Sequence, residues 1–406
     1  MSKSMIKRKN GAKITKSKLK EQDWRFIKAR YHHSNRAEKT KLLNELCDLY
    51  GYNRQYLLQV LNNLTDKRYV KKGPRVKYEP TLVLNPLKKL WLATDQMCSR
   101  RLKAAILLWL PYYEQEYGLL PPRVKELLIN IGRATIDRLL KPIRAKFRRK
   151  SRCGTKPGTL IKKQIPIKLN NEHVDCPGFI EADTVAHCGG SLKDDFVWSI
   201  TLTDIFTGWT ENRATWGKGG EGVLKNIKDI EVCLPFNLLG FNCDNGSEFL
   251  NWHLMRYFEG KNNKKSKQKS KIKSKFFLSR SRPYHKDDNA HVEQKNWTHV
   301  RQLFGYDRFD NKLLVDLMND LYRNEWSLLQ NHFSPSMKLE KKQRIGSKYH
   351  KKYEAPKTPY QRIMENPNIP KIKKQQLRKI HEKLNPFTLQ KQIQKKLKKI
   401  FNYVHP

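Results

Sequence analysis

Three carboxylates, Asp183, Asp244 and Glu293, are the residues of this 406-residue chain best placed to do chemistry together. Asp183 ends an apolar run that reads as a strand, Pro177-Gly178-Phe179-Ile180-Glu181-Ala182-Asp183. Asp244 follows a second such run and opens Asp244-Asn245-Gly246-Ser247-Glu248-Phe249. Glu293 sits where a helix begins, after Tyr284-His285-Lys286-Asp287-Asp288-Asn289-Ala290-His291-Val292. Carboxylates of this kind on rigid elements suit two divalent cations held roughly 3.5–4 Å apart across a phosphodiester.

Elements that could hold them follow from periodicity. Strands are predicted over residues 177–185, 196–203 and 208–216, with residues 204–208 as a turn. A helix over 221–232, a strand over 236–243, a helix over 251–258, a strand over 276–279 and a helix over 289–304 complete the series. Three strands followed by helix-strand-helix-strand-helix is the order of a ribonuclease H-like α/β fold. On the last helix, Glu293, Trp297, Val300 and Phe304 stand at i, i+4, i+7 and i+11 and share one face. Burial of the three apolar residues draws Glu293 toward the sheet, where a carboxylate needs a cationic partner. The competing reading is a helix-terminal Glu that complements the macrodipole.

The neighbours of the triad have readings of their own. Asn245-Gly246-Ser247 reads as a tight turn in which Gly246 permits positive φ. Glu248 is a rival for the metal role, although orienting the turn or capping the next helix suits it better. Tyr284 is a stacking platform for a base or ribose, and His285 and Lys286 are phosphate contacts. Asn289 is the expected N-cap of the last helix. His187 and His291 read as structural or solvent-facing.

Charge gives the partner class. The chain has 83 Lys+Arg against 38 Asp+Glu, a net +45, which implies an anionic polymer, with nucleic acid first and a membrane surface as the alternative. Residues 175–260 invert this balance, with thirteen Asp/Glu against six Lys/Arg. An acidic middle between basic flanks fits a site that concentrates divalent cations. Residues 261–275, between Asp244 and Glu293, hold eight lysines in fifteen residues. Mutual repulsion predicts an extended surface insertion there, near the path of a nucleic-acid backbone.

The rest of the chain divides by composition. Residues 1–20, with eight Lys/Arg and no apolar h-region, read as a disordered basic arm and not as a secretory signal. Residues 21–75 read as a helix-turn-helix: a helix ending at Gly51, then a second one N-capped by Asn53. Residues 76–150 read as a second helical DNA-binding domain, with one helix ending near Pro111, another opening at Pro121-Pro122, and a recognition helix from Ala134 that Pro142 kinks or ends. Arg54 and Arg138 are the expected base or phosphate contacts of these two modules. Residues 151–174 form a linker, 175–310 the catalytic core, and 311–406 a basic C-terminal region whose last stretch is an amphipathic basic helix.

Several classes are excluded. No run of 18 apolar residues spans a bilayer. Seven cysteines without a CxxC pair argue against a disulfide framework and fit a reducing cytoplasm. His32-His33 with only Cys47 nearby makes no zinc module. GxxxxGK[ST] and GxSxG are absent, and no tyrosine or serine recombinase pattern is evident.

The words FNCDNGSEF (241–249) and SRPYHKDDNAHVEQKNWTHVRQLFGYDRF (281–309) resemble the catalytic core of retroviral integrases and of bacterial insertion-sequence transposases of the same Asp-Asp-Glu type. The resemblance covers about residues 177–310, extends in ordering to the helical N-terminal half and is weak in the tail. It implies that the family's triad falls on Asp183, Asp244 and Glu293. It also implies two Mg2+ (or Mn2+) ions per site, double-stranded DNA as partner at transposon ends and target, and a homo-oligomer on DNA. The implied activity is metal-dependent cleavage of transposon ends and transfer of the 3′-OH into target DNA. A catalytically inactive DNA-binding repressor and a ribonuclease H-type nuclease are the alternatives. The chain departs from the family in its lysine-rich run, in lacking the HHCC zinc module, and in placing Trp297 and Val300 where retroviral integrases have DNA-contacting lysines. Lys295 and His299 occupy the neighbouring face, and Lys295 is the candidate DNA contact there.

Overall fold

The computed structural model describes residues 6–7, 13–14, 21–62, 77–147, 174, 176–244, 246, 248–249, 251–267, 276–281 and 290–405. The chain divides into two compact units, Met1–Val76 and Lys77–Pro406. None of the described helices is long and apolar enough to cross a membrane.

The first unit carries two-residue strands β1 (Ile6–Lys7) and β2 (Lys13–Ile14) and three helices, α1 (Glu21–His33), α2 (Arg36–Tyr50) and α3 (Arg54–Asn62). Asn35 and Glu38 form a reciprocal capping box at the start of α2, each side chain accepting the other's backbone N–H at 2.9 Å. Gly51 ends α2 in the left-handed region at φ 64, with its N–H on the Cys47 carbonyl. Asn53 then accepts the Gln55 N–H at 2.8 Å and starts α3. Leu42, Leu43 and Leu46 of α2 close over Leu57 and Leu61 of α3 and Tyr31 of α1.

The second unit opens with α4 (Pro80–Ala93), α5 (Ser99–Tyr117), α6 (Pro122–Asn130) and α7 (Arg133–Arg144). Pro111 lies inside α5 instead of ending it. Trp109, Leu110 and Tyr113 are all buried, and that packing holds the helix together across the missing hydrogen bond. Pro142 is likewise inside α7.

A five-stranded sheet follows, built from β3 (Phe179–Ala186), β4 (Val197–Asp204), β5 (Thr210–Trp216), β6 (Gly240–Cys243) and β7 (Phe277–Arg280). Its order is β5-β4-β3-β6-β7. The first three strands pair antiparallel, and β6 and β7 add in parallel on the β3 side. With α8 (Gly220–Cys233) and α9 (Trp252–Lys267) between the later strands, this is the arrangement expected of a ribonuclease H-like core. The acidic middle of the chain covers the first four strands of the sheet together with α8 and part of α9.

Alternation along β3 sends Ile180 and Ala182 to one face, onto Val223 and Ile227 of α8 and Phe258 of α9. Glu181, Asp183 and Val185 lie on the other. That face meets α10 (Ala290–Lys295), which runs on through a π-helical turn, Asn296–Arg301, into α11 (Gln302–Phe304). The turn resets the helical phase. Val292, His299, Val300 and Phe304 are buried while Trp297 is 45% exposed, so the stripe predicted through Trp297 does not form. Residues 261–267 continue α9 by nearly two turns, against the expectation of an extended insertion; lysine is a good helix former and the helix was already nucleated.

Beyond α11 come α12 (Leu313–Leu321), a second π-helical turn (Tyr322–Trp326), α13 (Ser327–Phe333), the hairpin β8 (Leu339–Ile345) and β9 (Lys348–Tyr353), α14 (Pro359–Glu365), α15 (Lys371–Glu382) and α16 (Pro386–Val404). The amphipathic α16 buries Phe387, Ile393 and Ile400 in one core with Trp109 of α5, Phe333 of α13 and Val185 of the sheet. Trp109 Nε1 donates to the Phe333 carbonyl at 3.0 Å.

Candidate active site

The register sets two of the three carboxylates side by side. Parallel pairing of Ala182 with Cys243 leaves Asp183 and Asp244 as the next residues on neighbouring strands. Both are half-buried. Desolvation first, then the charge of Asp244, then those of Glu293 and Glu248, push the Asp183 carboxyl well above the usual carboxylate range. Asp244 is pushed up to about 6, by desolvation and by Glu248. Glu293, on the exposed side of α10, thus acts on Asp183 from across the helix–sheet contact.

Each of these groups is held from behind. The Asn296 amide donates to Asp183 Oδ2 at 2.7 Å, and the Thr184 N–H to Asp183 Oδ1 at 2.7 Å. The Gly246 N–H donates to Asp244 Oδ1 at 2.9 Å, closing an Asx turn. Gly246 is not needed there for positive φ. A Cβ there would meet the Glu248 carboxylate at 2.6 Å, so a larger residue would displace that side chain. Glu181, buried in β3, accepts the backbone N–H groups of His291 and Val292 at 3.1 Å each and so ties the first turn of α10 to the sheet.

Glu248 is the fourth carboxylate. Asn251 caps α9, accepting the Leu254 N–H at 3.0 Å, so Glu248 does not serve as that cap. Its Oε1 accepts from Thr184 Oγ1 at 2.8 Å. Its Oε2 is buried with no hydrogen-bond partner and has Lys218 Nζ at 3.9 Å. Asn296 Oδ1 is likewise buried without a donor.

These residues fit a hard divalent cation by chemistry: all donors are oxygens, the carboxylates repel one another, and two buried oxygens lack a partner. Among the described residues, no three His, Cys, Asp or Glu side chains are already drawn into one coordination group.

The remaining candidates fall elsewhere. Tyr284, His285 and Lys286 lie outside the described residues, as do Asn245, Ser247 and Asn289. Lys295 is half-buried, and desolvation with the nearby Arg101 and Arg362 guanidinium groups lowers its ammonium to about 7. Arg54 is exposed at the start of α3 and donates to Asn44 of α2; Arg138 is exposed on α7. His187 is structural: it is buried, bonded to Ser199 Oγ at 2.8 Å and stacked on Phe309, and burial lowers it to about 3. His291 is exposed. Sequence reasoning missed Glu181 and Asn296. The only signals for them were strand alternation, which puts Glu181 on the face of Asp183, and the i+3 step from Glu293 to Asn296.

No protein-family model matches the chain. Solved structures similar to it include the HTLV-2 integrase catalytic core domain in complex with magnesium (dimeric form), at TM-score 0.26 and 17% identity over 39% of this chain and 90% of that one. A simian T-cell lymphotropic virus intasome in complex with PP2A regulatory subunit B56 gamma overlaps at TM-score 0.31 and 13% identity over 64% of this chain and 76% of that one. Superpositions this loose carry no weight for the site, which rests on strand order and on the carboxylates themselves. The uncharacterized protein y4rM of Sinorhizobium fredii (strain NBRC 101917 / NGR234) is 33% identical over 335 residues, 82% of this chain and 91% of the relative. With that identity over most of both lengths, the chain belongs to the family of y4rM.

Proposed function

We propose that this protein is a DNA transposase or integrase that cuts transposon ends and joins the resulting 3′-OH to target DNA at the Asp183, Asp244 and Glu293 site. The observation that carries this reading is the side-by-side placement of Asp183 and Asp244 at the ends of the paired strands β3 and β6, with Glu293 on the helix that packs against β3. Asp183 and Asp244 from the sheet and Glu293 from α10 would hold two Mg2+ or Mn2+ ions. When bound, such ions supply stabilisation of the entering and leaving oxygens of an in-line displacement at phosphorus. Asn296 and the Thr184 N–H fix the Asp183 carboxylate, the Gly246 N–H fixes that of Asp244, and Glu181 fixes the start of the helix that brings Glu293. The net +45 supports a DNA partner, and the α2–Gly51–α3 hairpin and α6–Gly132–α7 support helix-turn-helix recognition of transposon ends. Action as a homo-oligomer on DNA belongs to the same reading.

The test uses purified protein, Mg2+ or Mn2+, and labelled duplex from the flanks of its own coding sequence. Nicks that expose a 3′-OH, and joined products with a plasmid target, are expected from the wild type. Glu293→Gln and Asp183→Asn are expected to shift the duplex equally while giving neither product. Wild-type turnover in either variant contradicts the assignment, and binding without nicking by the wild type favours the repressor reading instead.

A further inference from the structure

We propose that a basic cleft between α5, the start of α7 and the β8–β9 hairpin binds the sugar–phosphate backbone of duplex DNA, as a contact separate from the carboxylate site. That the polyanion is DNA rests on the transposase reading; that the cleft takes a polyanion does not. The cleft, of about 410 Å3, is lined by Arg100 and Lys103 from α5, Arg133 from α7, and Lys351 and Lys352 from β9. All five are exposed. Its one carboxylate, Glu354, is already engaged by Arg362 and by the Lys338 N–H at 3.2 Å. Lys352 pairs with Glu340 at 3.0 Å, and Arg133 feels Asp137 on its own helix. Arg100, Lys103 and Lys351 have no carboxylate within ion-pair distance among the described residues.

The hairpin points the same way. Its register sets Lys341 directly across from Lys352. Like charges at facing positions destabilise an antiparallel ladder, and a two-stranded hairpin has little stability of its own. A ribbon so built gains stability when an anion lies along it. The cations are spread over a helix, a helix start and a strand, not gathered round one enclosed point. That spacing suits a chain of repeating phosphates better than a single small anion, and exposed lysines meet phosphates without reading sequence. A two-stranded ribbon is also of a size that the major groove admits.

The experiment measures binding of full-length protein to a short labelled duplex of random sequence over a range of salt concentrations. Arg100→Gln/Lys103→Gln/Lys351→Gln is compared with Lys395→Gln/Lys398→Gln/Lys399→Gln, which removes the same charge from exposed positions of α16. In the cleft variant the slope of log K against log salt is expected to flatten by about 0.9 for each phosphate that the protein no longer neutralises, and in the α16 variant to change little. The single substitutions Lys103→Gln and Lys351→Gln are each expected to take about 0.9 from the slope, and they serve if the triple variant unfolds. Equal slopes for the cleft and α16 variants overturn the proposal. So does cleft-dependent binding to anionic lipid vesicles without cleft-dependent DNA binding. Metal-dependent cleavage is scored separately: its absence beside a cleft-dependent slope removes the transposase reading alone, and its presence beside an unchanged slope removes the cleft alone.

Discussion

Helix α10 has two clusters of like charge beside it, and they are resolved differently. Toward the sheet, Asp183, Asp244, Glu248 and Glu293 repel one another and raise the first two carboxyls. On another face of the same helix, Lys295 stands with Arg101 and Arg362, and His299 with Lys295 and Arg101. The two arginines of the cationic cluster are satisfied from within. Arg101 donates to the Pro335 carbonyl at 2.6 Å, and Arg362 donates to the carbonyls of Ser336 and Thr207 at 2.7 and 3.0 Å and pairs with Glu354. Those bonds link α5 and α14 to the segment after α13. The acidic cluster keeps two buried oxygens, on Glu248 and Asn296, with no donor. One cluster works as internal cement; the other keeps the unpartnered oxygens that the proposed cation site would use.

The largest effect should come from the acidic side. Asp244→Asn is expected to lower metal-dependent DNA cleavage by about a thousandfold or more, the equivalent of several kcal/mol of transition-state charge stabilisation, in single-turnover assays. Retained cleavage would mean that the cluster is structural, like its cationic counterpart. Next comes the link between the two. Glu181→Ala removes a buried carboxylate that accepts two N–H groups at the start of α10, and should cost about 3 kcal/mol in urea unfolding, with Glu181→Gln costing less.

The cationic side should respond to pH. Burial first, then Lys295 and Arg101, hold His299 well below its ordinary value, while Trp326 packs edge-on against the ring. A histidine kept neutral in the fold contributes stability that is complete above the unfolded value near 6.5 and is lost as pH falls, because the unfolded chain takes up a proton that the folded chain refuses. His187 and His332, each lowered to about 3 mainly by burial, act in the same direction. His299→Gln is expected to reduce the slope of unfolding free energy against pH by about 1.4 kcal/mol per unit between roughly pH 6 and 4. An unchanged slope would place His299 outside the cluster. The smallest effect is expected at Trp297, whose ring the π-helical turn leaves part-exposed: Trp297→Ala should cost under about 1 kcal/mol, against about 2–3 for Val300→Ala.

Much of the sheet was legible because its strands are apolar runs broken by Gly, Asp and Pro. The predicted strands at 196–203 and 276–279 each lie within one residue of β4 and β7. The Gly51 and Asn53 signals of the first unit also hold, since caps are local chemistry. What could not be read depends on distant partners. The π-helical turn in the helix of Glu293 inserts a residue's worth of phase, and nothing in NWTHVR announces it. Continuation of α5 past Pro111 depends on Phe387, 276 residues away. The basic amphipathic α16 was visible as a helix, but its partner, α5, was not. At the site, the order and types of the carboxylates were legible, while their supports, Glu181 and Asn296, became visible only once β3 and α10 were packed together.

The central claim is that Asp183, Asp244 and Glu293 form a cation site. Calorimetric titration of full-length protein with Mn2+ tests it most directly. Saturable binding is expected for the wild type and its loss in Asp183→Asn and Asp244→Asn, both folded and both binding DNA as the wild type does; isotherms that are the same in all three proteins would contradict it.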